Sequence, residues 1–279
     1  MKSTLTRLLV AAALTAALSS VAFAQSTSRG KSKEPIGKIY FAETQGESDI
    51  TANGVVSPAQ QAKAFDAPGA VIATKAKSRS AFIYSNGTAL VMDQNTRLKV
   101  DQFTQGRFPD NASARTDPEA EPSASQSKVT LTQGTVVVCT NQLAAGSTMV
   151  YTTPLATVTI RRGRVSIETT TEETIVDLLE GDASVRGTSQ DQAGQPLRPG
   201  ERAVIRVSAS GQTTLSILPT PAEMLPALDE RAAVACNAKK TVFFDANDQA
   251  DQEITPNPAV PAKLPANITV SPDRLTGGT

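Results

Sequence analysis

Five times along this chain an apolar residue is followed three positions later by glycine, and each of those glycines is followed four positions later by Val or Ile. The sets are Tyr84 with Gly87 and Val91, Leu131 with Gly134 and Val138, Ile160 with Gly163 and Ile167, Leu178 with Gly181 and Val185, and Leu197 with Gly200 and Val204. Glycine lets the backbone turn or bulge, and a β-branched residue two side-chain periods later belongs on the buried face of a strand. The spacing specifies an all-β chain of many short strands. Gly163, Gly181 and Gly200 are 18 and 19 residues apart, a period that fits a roll, a solenoid-like coil, a meander or a sandwich.

Register sharpens one of the five. Before Gly163 the aliphatic residues occupy even positions, Val158 and Ile160; after it they occupy odd ones, Val165 and Ile167. A shift of one residue exchanges the faces of a strand, so a regular strand cannot bury both sets. Gly163 is therefore expected at a bulge or tight bend.

Strand composition begins at residues 36–42 and is followed by a polar loop with Gly46 and Gly54, then a Pro68-Gly69 turn before residues 70–74. Asn86-Gly87, between Phe82 with Tyr84 and residues 88–92, is a strong hairpin signal. Residues 106–128 lose the apolar pattern and read as a disordered insertion whose only large apolar residue is Phe108. Strand patterns then follow closely at 129–140, 148–151, 156–161, 165–169, 174–179, 183–186, 203–207 and 213–218. Thr220-Pro221-Ala222-Glu223 has the form of a capping box, with Thr220 as N-cap, ahead of a helical pattern at 227–238. A short strand at 242–244 and a proline-rich tail close the chain. The expected organisation is a signal segment at 1–24, a flexible leader at 25–35, one all-β domain at 36–218 holding the insertion, a helix and short strand at 219–245, and a disordered tail at 246–279.

The first 24 residues carry Lys2 and Arg7, an apolar run at 8–18 and Ala22-Phe23-Ala24, the form of a secretory signal cleaved after Ala24. The run is too short for a bilayer-spanning helix, which needs about 20 residues. A periplasmic or secreted protein is expected. Lys and Arg number 27 against 27 Asp and Glu, and removing the leader subtracts two cations, so nothing marks a nucleic-acid partner. Trp is absent and aromatics are 4%, leaving the core to aliphatic residues and narrow β layers. The two cysteines, Cys139 and Cys236, suggest one disulfide in an exported chain, the alternative being two buried free thiols. Strand parity sets Val136 and Val138 on one face and Cys139 on the other, where it can reach a helix packed outside the sheet.

Thr153-Pro154 followed by Ala156 and Val158, then Arg162-Gly163, then Leu179-Glu180-Gly181-Asp182-Ala183-Ser184-Val185, then Leu197-Arg198-Pro199-Gly200-Glu201, resembles in order and spacing the FecR-type periplasmic domain. Upstream, Asn86-Gly87-Thr88 with Leu90 and Met92, and Leu131 to Val138 with Gly134, look like that family's earlier strand turns; the resemblance covers 68–207 apart from the insertion. It implies an all-β extracytoplasmic module that relays signals by binding other proteins. Arg164 stands where the family has Thr. A cleavable signal in place of a cytoplasmic anti-sigma segment and membrane helix makes direct sigma-factor control unexpected here.

The absence of histidine excludes Ser-His-Asp and Cys-His catalysis and most zinc sites. Ser28 with Lys31, and Ser125 with Lys128, have Ser-Lys spacing but fall in stretches read as disordered, where burial cannot lower a lysine pKa. Glu168, Asp177, Glu180 and Asp182 read as a solvated strand face and turn acids rather than paired catalytic carboxylates. Asp245, Asn247, Asp248 and Asp251 match a calcium loop only loosely. Arg161, Arg162 and Arg164 form the sharpest charge cluster, a possible contact for an anion or a partner, or an exposed strand face. The expectation is a non-enzymatic module without cofactor or metal that binds an envelope protein or cell-wall glycan. The alternative is a structural, surface-assembly protein.

Overall fold

A computed structural model describes residues 37–106, 120–188, 194–208, 211–246 and 252–256. The expected signal segment and leader, and the tail beyond 256, lie outside these residues. Strands β1 (Lys38–Gln45), β2 (Ser48–Ala52), β3 (Val55–Pro58), β4 (Ala64–Asp66) and β5 (Val71–Thr74) precede a hairpin of β6 (Arg79–Tyr84) and β7 (Ala89–Met92). Next come β8 (Arg97–Gln105), β9 (Ser125–Thr140), β10 (Thr148–Thr152), β11 (Ala156–Thr169) and β12 (Glu173–Gly187). β13 (Gln195–Leu197), β14 (Glu201–Val207) and β15 (Thr213–Pro219) complete the sheet. Helix α1 (Leu225–Ala238) follows, then the hairpin of β16 (Val242–Ala246) and β17 (Gln252–Pro256).

The first fifteen strands form one hydrogen-bonded sheet, which doubles back on itself because its long strands change neighbours partway along. β9 pairs first with β8 and, in parallel, with β10; beyond Gly134 it pairs with β7 and β11. β12 pairs with β14 at its start and with β13 near its end. One layer thus runs β3-β2-β5-β8-β9-β10-β11-β12-β13, and the other β4-β1-β6-β7-β9-β11-β12-β14-β15. The parallel β9–β10 step is a single solenoid-like coil inside a rolled sandwich. Between the layers lies one apolar core, with Ile72, Leu98, Val100, Val129 and Leu131 from the first and Phe41, Phe82, Leu90, Met92 and Ile205 from the second.

Gly163 sits where β11 and β12 cross between layers. Its partner is Gly181, and the pair is bracketed by two register shifts: Arg161 is the extra residue on β11, and Leu179 the extra residue on β12. Both strands therefore switch buried parity, so that Ile160 and Val165, and likewise Leu178 and Ala183, enter the same core. The bulge expected from the aliphatic pattern is present.

A second cluster lies on the outer side of the β1-β6-β7-β9 surface. Tyr40, Ala42, Ala81, Ile83, Ala89, Val91 and Cys139 pack there with Ala235 and Ala238 of α1 and with Val242. Leu228, Ala232, Ala235 and Ala238 are the buried stripe of the helix, at the spacing of one helical face.

Several expectations change. The polar loop before Pro68 contains β2, β3 and β4, and Asn53-Gly54 at positive φ forms the two-residue turn between β2 and β3. β9 begins at Ser125 and Glu121 is buried, so the insertion read at 106–128 is structured from residue 120 onward. Thr220 does not cap the helix: a 3-10 turn at Ala222–Met224 leads into α1, and the Thr220 hydroxyl donates to Asp177 Oδ1 at 3.0 Å instead. Pro226 falls in the first helical turn, where its missing N–H costs nothing. β17 lies within the stretch read as a disordered tail.

Candidate functional site

The arginine cluster sits on the two bulges. Arg161 Nη1 lies 3.3 Å from Asp182 Oδ2, while Arg164 reaches Glu180 Oε2 at 3.0 Å and Asp229 Oδ1 of α1 at 3.2 Å. Arg162 is exposed and has no ion pair among the described residues. Two of the three cations are thus engaged within the fold, and Arg164 serves as a strut between sheet and helix.

Asp93, just after β7, is held between Arg79 of β6 and Arg231 of α1, each with Nε at 2.9 Å. The Lys239 ammonium donates to Asn141 Oδ1 at 2.6 Å. The Cys139–Cys236 disulfide, with Cα atoms 5.3 Å apart, fastens the same helix to β9. The helix is clasped to the sheet by charge at one side and a covalent bond at the other. None of the ionic partners was legible in the sequence, because each joins residues far apart in the chain.

Asp177 corrects another expectation. It is buried rather than solvated: Arg202 donates to both of its carboxylate oxygens, at 2.7 and 3.0 Å, and Thr220 adds a third bond. Glu180 and Asp182 are committed to Arg164 and Arg161, and Glu168 is exposed opposite Ile175, so these acids do not face one another as a catalytic pair. Ser125 and Lys128 lie on β9, not in a disordered stretch, and three residues apart on a strand they point to opposite faces. Ser125 is buried and donates to Glu121, whose other oxygen accepts from Ala144 N–H at 2.8 Å and Ser147 Oγ at 2.5 Å. The Asn86-Gly87 turn is buried beside this network, with Asn86 Nδ2 donating to Ser125 Oγ at 3.1 Å. Ser28 and Lys31, and Asn247, Asp248 and Asp251, lie outside the described residues.

Among the described residues there is no group of three candidate metal ligands, and no helix is long and apolar enough to cross a membrane. The core contains two tyrosines, Tyr84 and Tyr151. Burial pushes the Tyr84 phenol well above its usual range, and among the described residues its hydroxyl has no hydrogen-bond partner. Tyr151 is raised for the same reason, with the neighbouring Tyr84 adding to the shift.

Residues 70–184 match the family model described as FecR protein. The Leu197-Arg198-Pro199-Gly200-Glu201 segment lies past the matched region. Two crystal structures of a candidate anti-sigma factor from Parabacteroides distasonis are similar to this chain. One has 14% identity and a TM-score of 0.40, covering 56% of this chain and 62% of that one. The other has 13% identity and a TM-score of 0.39, covering 56% and 63%. This chain thus spans less than two thirds of their length. No curated protein matches it.

Proposed function

We propose that the chain, whose residues 70–184 match the FecR family model, is an exported, non-enzymatic interaction module of the cell envelope that takes part in signalling by binding another protein. The FecR match carries this reading, since that domain resembles the extracytoplasmic part of signal relays. The leader with its Ala22-Phe23-Ala24 site supports export, and a disulfide is compatible with an oxidising compartment. Arg162 is the contact we assign to the partner. It is exposed at the bulge between the layers, and its neighbours Arg161 and Arg164 are already paired, which leaves Arg162 as the cation of the cluster free for an acidic group.

The test is a pull-down from the native envelope with the chain and its Arg162→Glu variant, followed by titration of the recovered protein. A specific envelope protein bound by the wild type and weakened about tenfold or more by the reversal supports the reading. Recovery of cell-wall glycan alone, or equal binding by both forms, overturns it.

A further inference from the structure

Among the described residues the doubled sheet ends in four free edges, and three of them are blunted. β3 is four residues long and ends in Pro58; β4 has three residues, with Asp66 beside Lys38; β13 has three, with Pro196 at its centre. Short length, proline and charge are the usual protections of an edge strand. β15 has none of these along its body. It runs seven residues as Thr-Thr-Leu-Ser-Ile-Leu-Pro, uncharged throughout, with proline only at the last position.

Its ladder to β14 fixes which backbone groups are free. The bonds Thr220 N–H to Gly200 O and Ser208 N–H to Gln212 O, both 2.8 Å, bracket the pairing. Thr214, Ser216 and Leu218 therefore turn their backbone groups toward β14, and Leu215 and Ile217 turn theirs away from the sheet. The Leu215 and Ile217 side chains pack against the core, while Ser216 and Leu218 point outward, Leu218 being 51% exposed. The two arginines of β14 opposite Thr214 and Leu218 are already paired, Arg206 with Glu173 and Arg202 with Asp177.

We propose that β15 is a self-association edge, at which two copies of this chain pair antiparallel about a two-fold axis through Ser216. A two-fold interface must be complementary to itself, and this register is. Leu215 of one copy faces Ile217 of the second and exchanges backbone hydrogen bonds with it, and the symmetric pair does the same. On the outer face Ser216 meets Ser216 of the second copy, and Thr214 meets the exposed Leu218. No like charges are brought together. The inference rests on the edge alone and stands apart from the identity of any envelope partner.

Sedimentation equilibrium on the full chain tests it, with Ser216→Lys and Ser216→Asp as variants. Ser216 is exposed, so both variants keep the fold, which circular dichroism verifies. The wild type is expected to show a concentration-dependent monomer–dimer equilibrium. Each variant sets like charges face to face and raises the dissociation constant about tenfold or more, and an equal mixture of the two recovers a mixed dimer. A wild type that stays monomeric, a dimer indifferent to both substitutions, or a mixture that fails to reassociate overturns the proposal.

Discussion

At the scale of single residues, the Gly163–Gly181 pair shows how a local pattern can fix a long-range geometry. Both glycines have φ in the left-handed region, +108° and +101°, and their backbones approach so closely that a Cβ on Gly163 would lie 1.9 Å from the Glu180 carbonyl oxygen. On Gly181 it would lie 2.2 Å from that of Arg162. Backbone cannot yield as a side-chain tip can. Gly163→Ala or Gly181→Ala is therefore expected to cost about 3 kcal/mol or more, strain and overpacking together. Gly54→Ala, at φ +77° but in open space, pays only the conformational term, about 1 kcal/mol. Urea denaturation of the three variants checks this ordering; equal losses would refute the close-approach account. The bulge was legible because parity is a property of adjacent residues. The burial of Asp177 was not, since Arg202 and Thr220, which hold it, arrive from other segments.

At the scale of elements, helix α1 is the clearest case of an element whose position depends on a few attachments. Its apolar stripe is mostly alanine, which buries little area per residue, and the Asp93–Arg231 and Arg164–Asp229 pairs are partly exposed and correspondingly modest. The disulfide dominates. Closing a loop of sequence separation 97 is worth about 4–5 kcal/mol in the chain-entropy model. Replacing both cysteines with alanine is expected to lower the melting temperature by roughly 10–15 °C. Scanning calorimetry of that variant beside the oxidised chain reads the shift, and an unchanged transition would mean that the bond contributes nothing. Parity along β9 anticipated the outward thiol. The Asn53-Gly54 hairpin carried an equally plain signal, but short, exposed strands at a sheet edge lack the apolar alternation that marks an interior strand.

At the scale of the whole molecule, the two layers enclose a core that contains Tyr84 and Tyr151, while Tyr40 lies under the helix, and these are the chain's three tyrosines. Burial raises all three phenols above their usual value of 10.0. A raised folded-state pKa contributes stability that is complete below the unfolded value and is lost as pH rises beyond it, so the fold weakens from about pH 10 upward. Absorbance titration is expected to show little tyrosinate at pH 10 in the native chain and a cooperative rise on alkaline unfolding, whereas the urea-unfolded chain titrates near 10. With no tryptophan to overlap, the signal is clean. A native chain with an ordinary tyrosine midpoint would contradict the enclosed core. Sequence by itself determined the all-β class, the hairpin at Asn86-Gly87, the parity switch at Gly163 and the outward reach of Cys139, because these depend on period and turn chemistry among neighbours. Only the tertiary structure decided how one sheet doubles into two layers, which charges pair across it and which edge strand is left open, because those depend on residues brought together from distant parts of the chain.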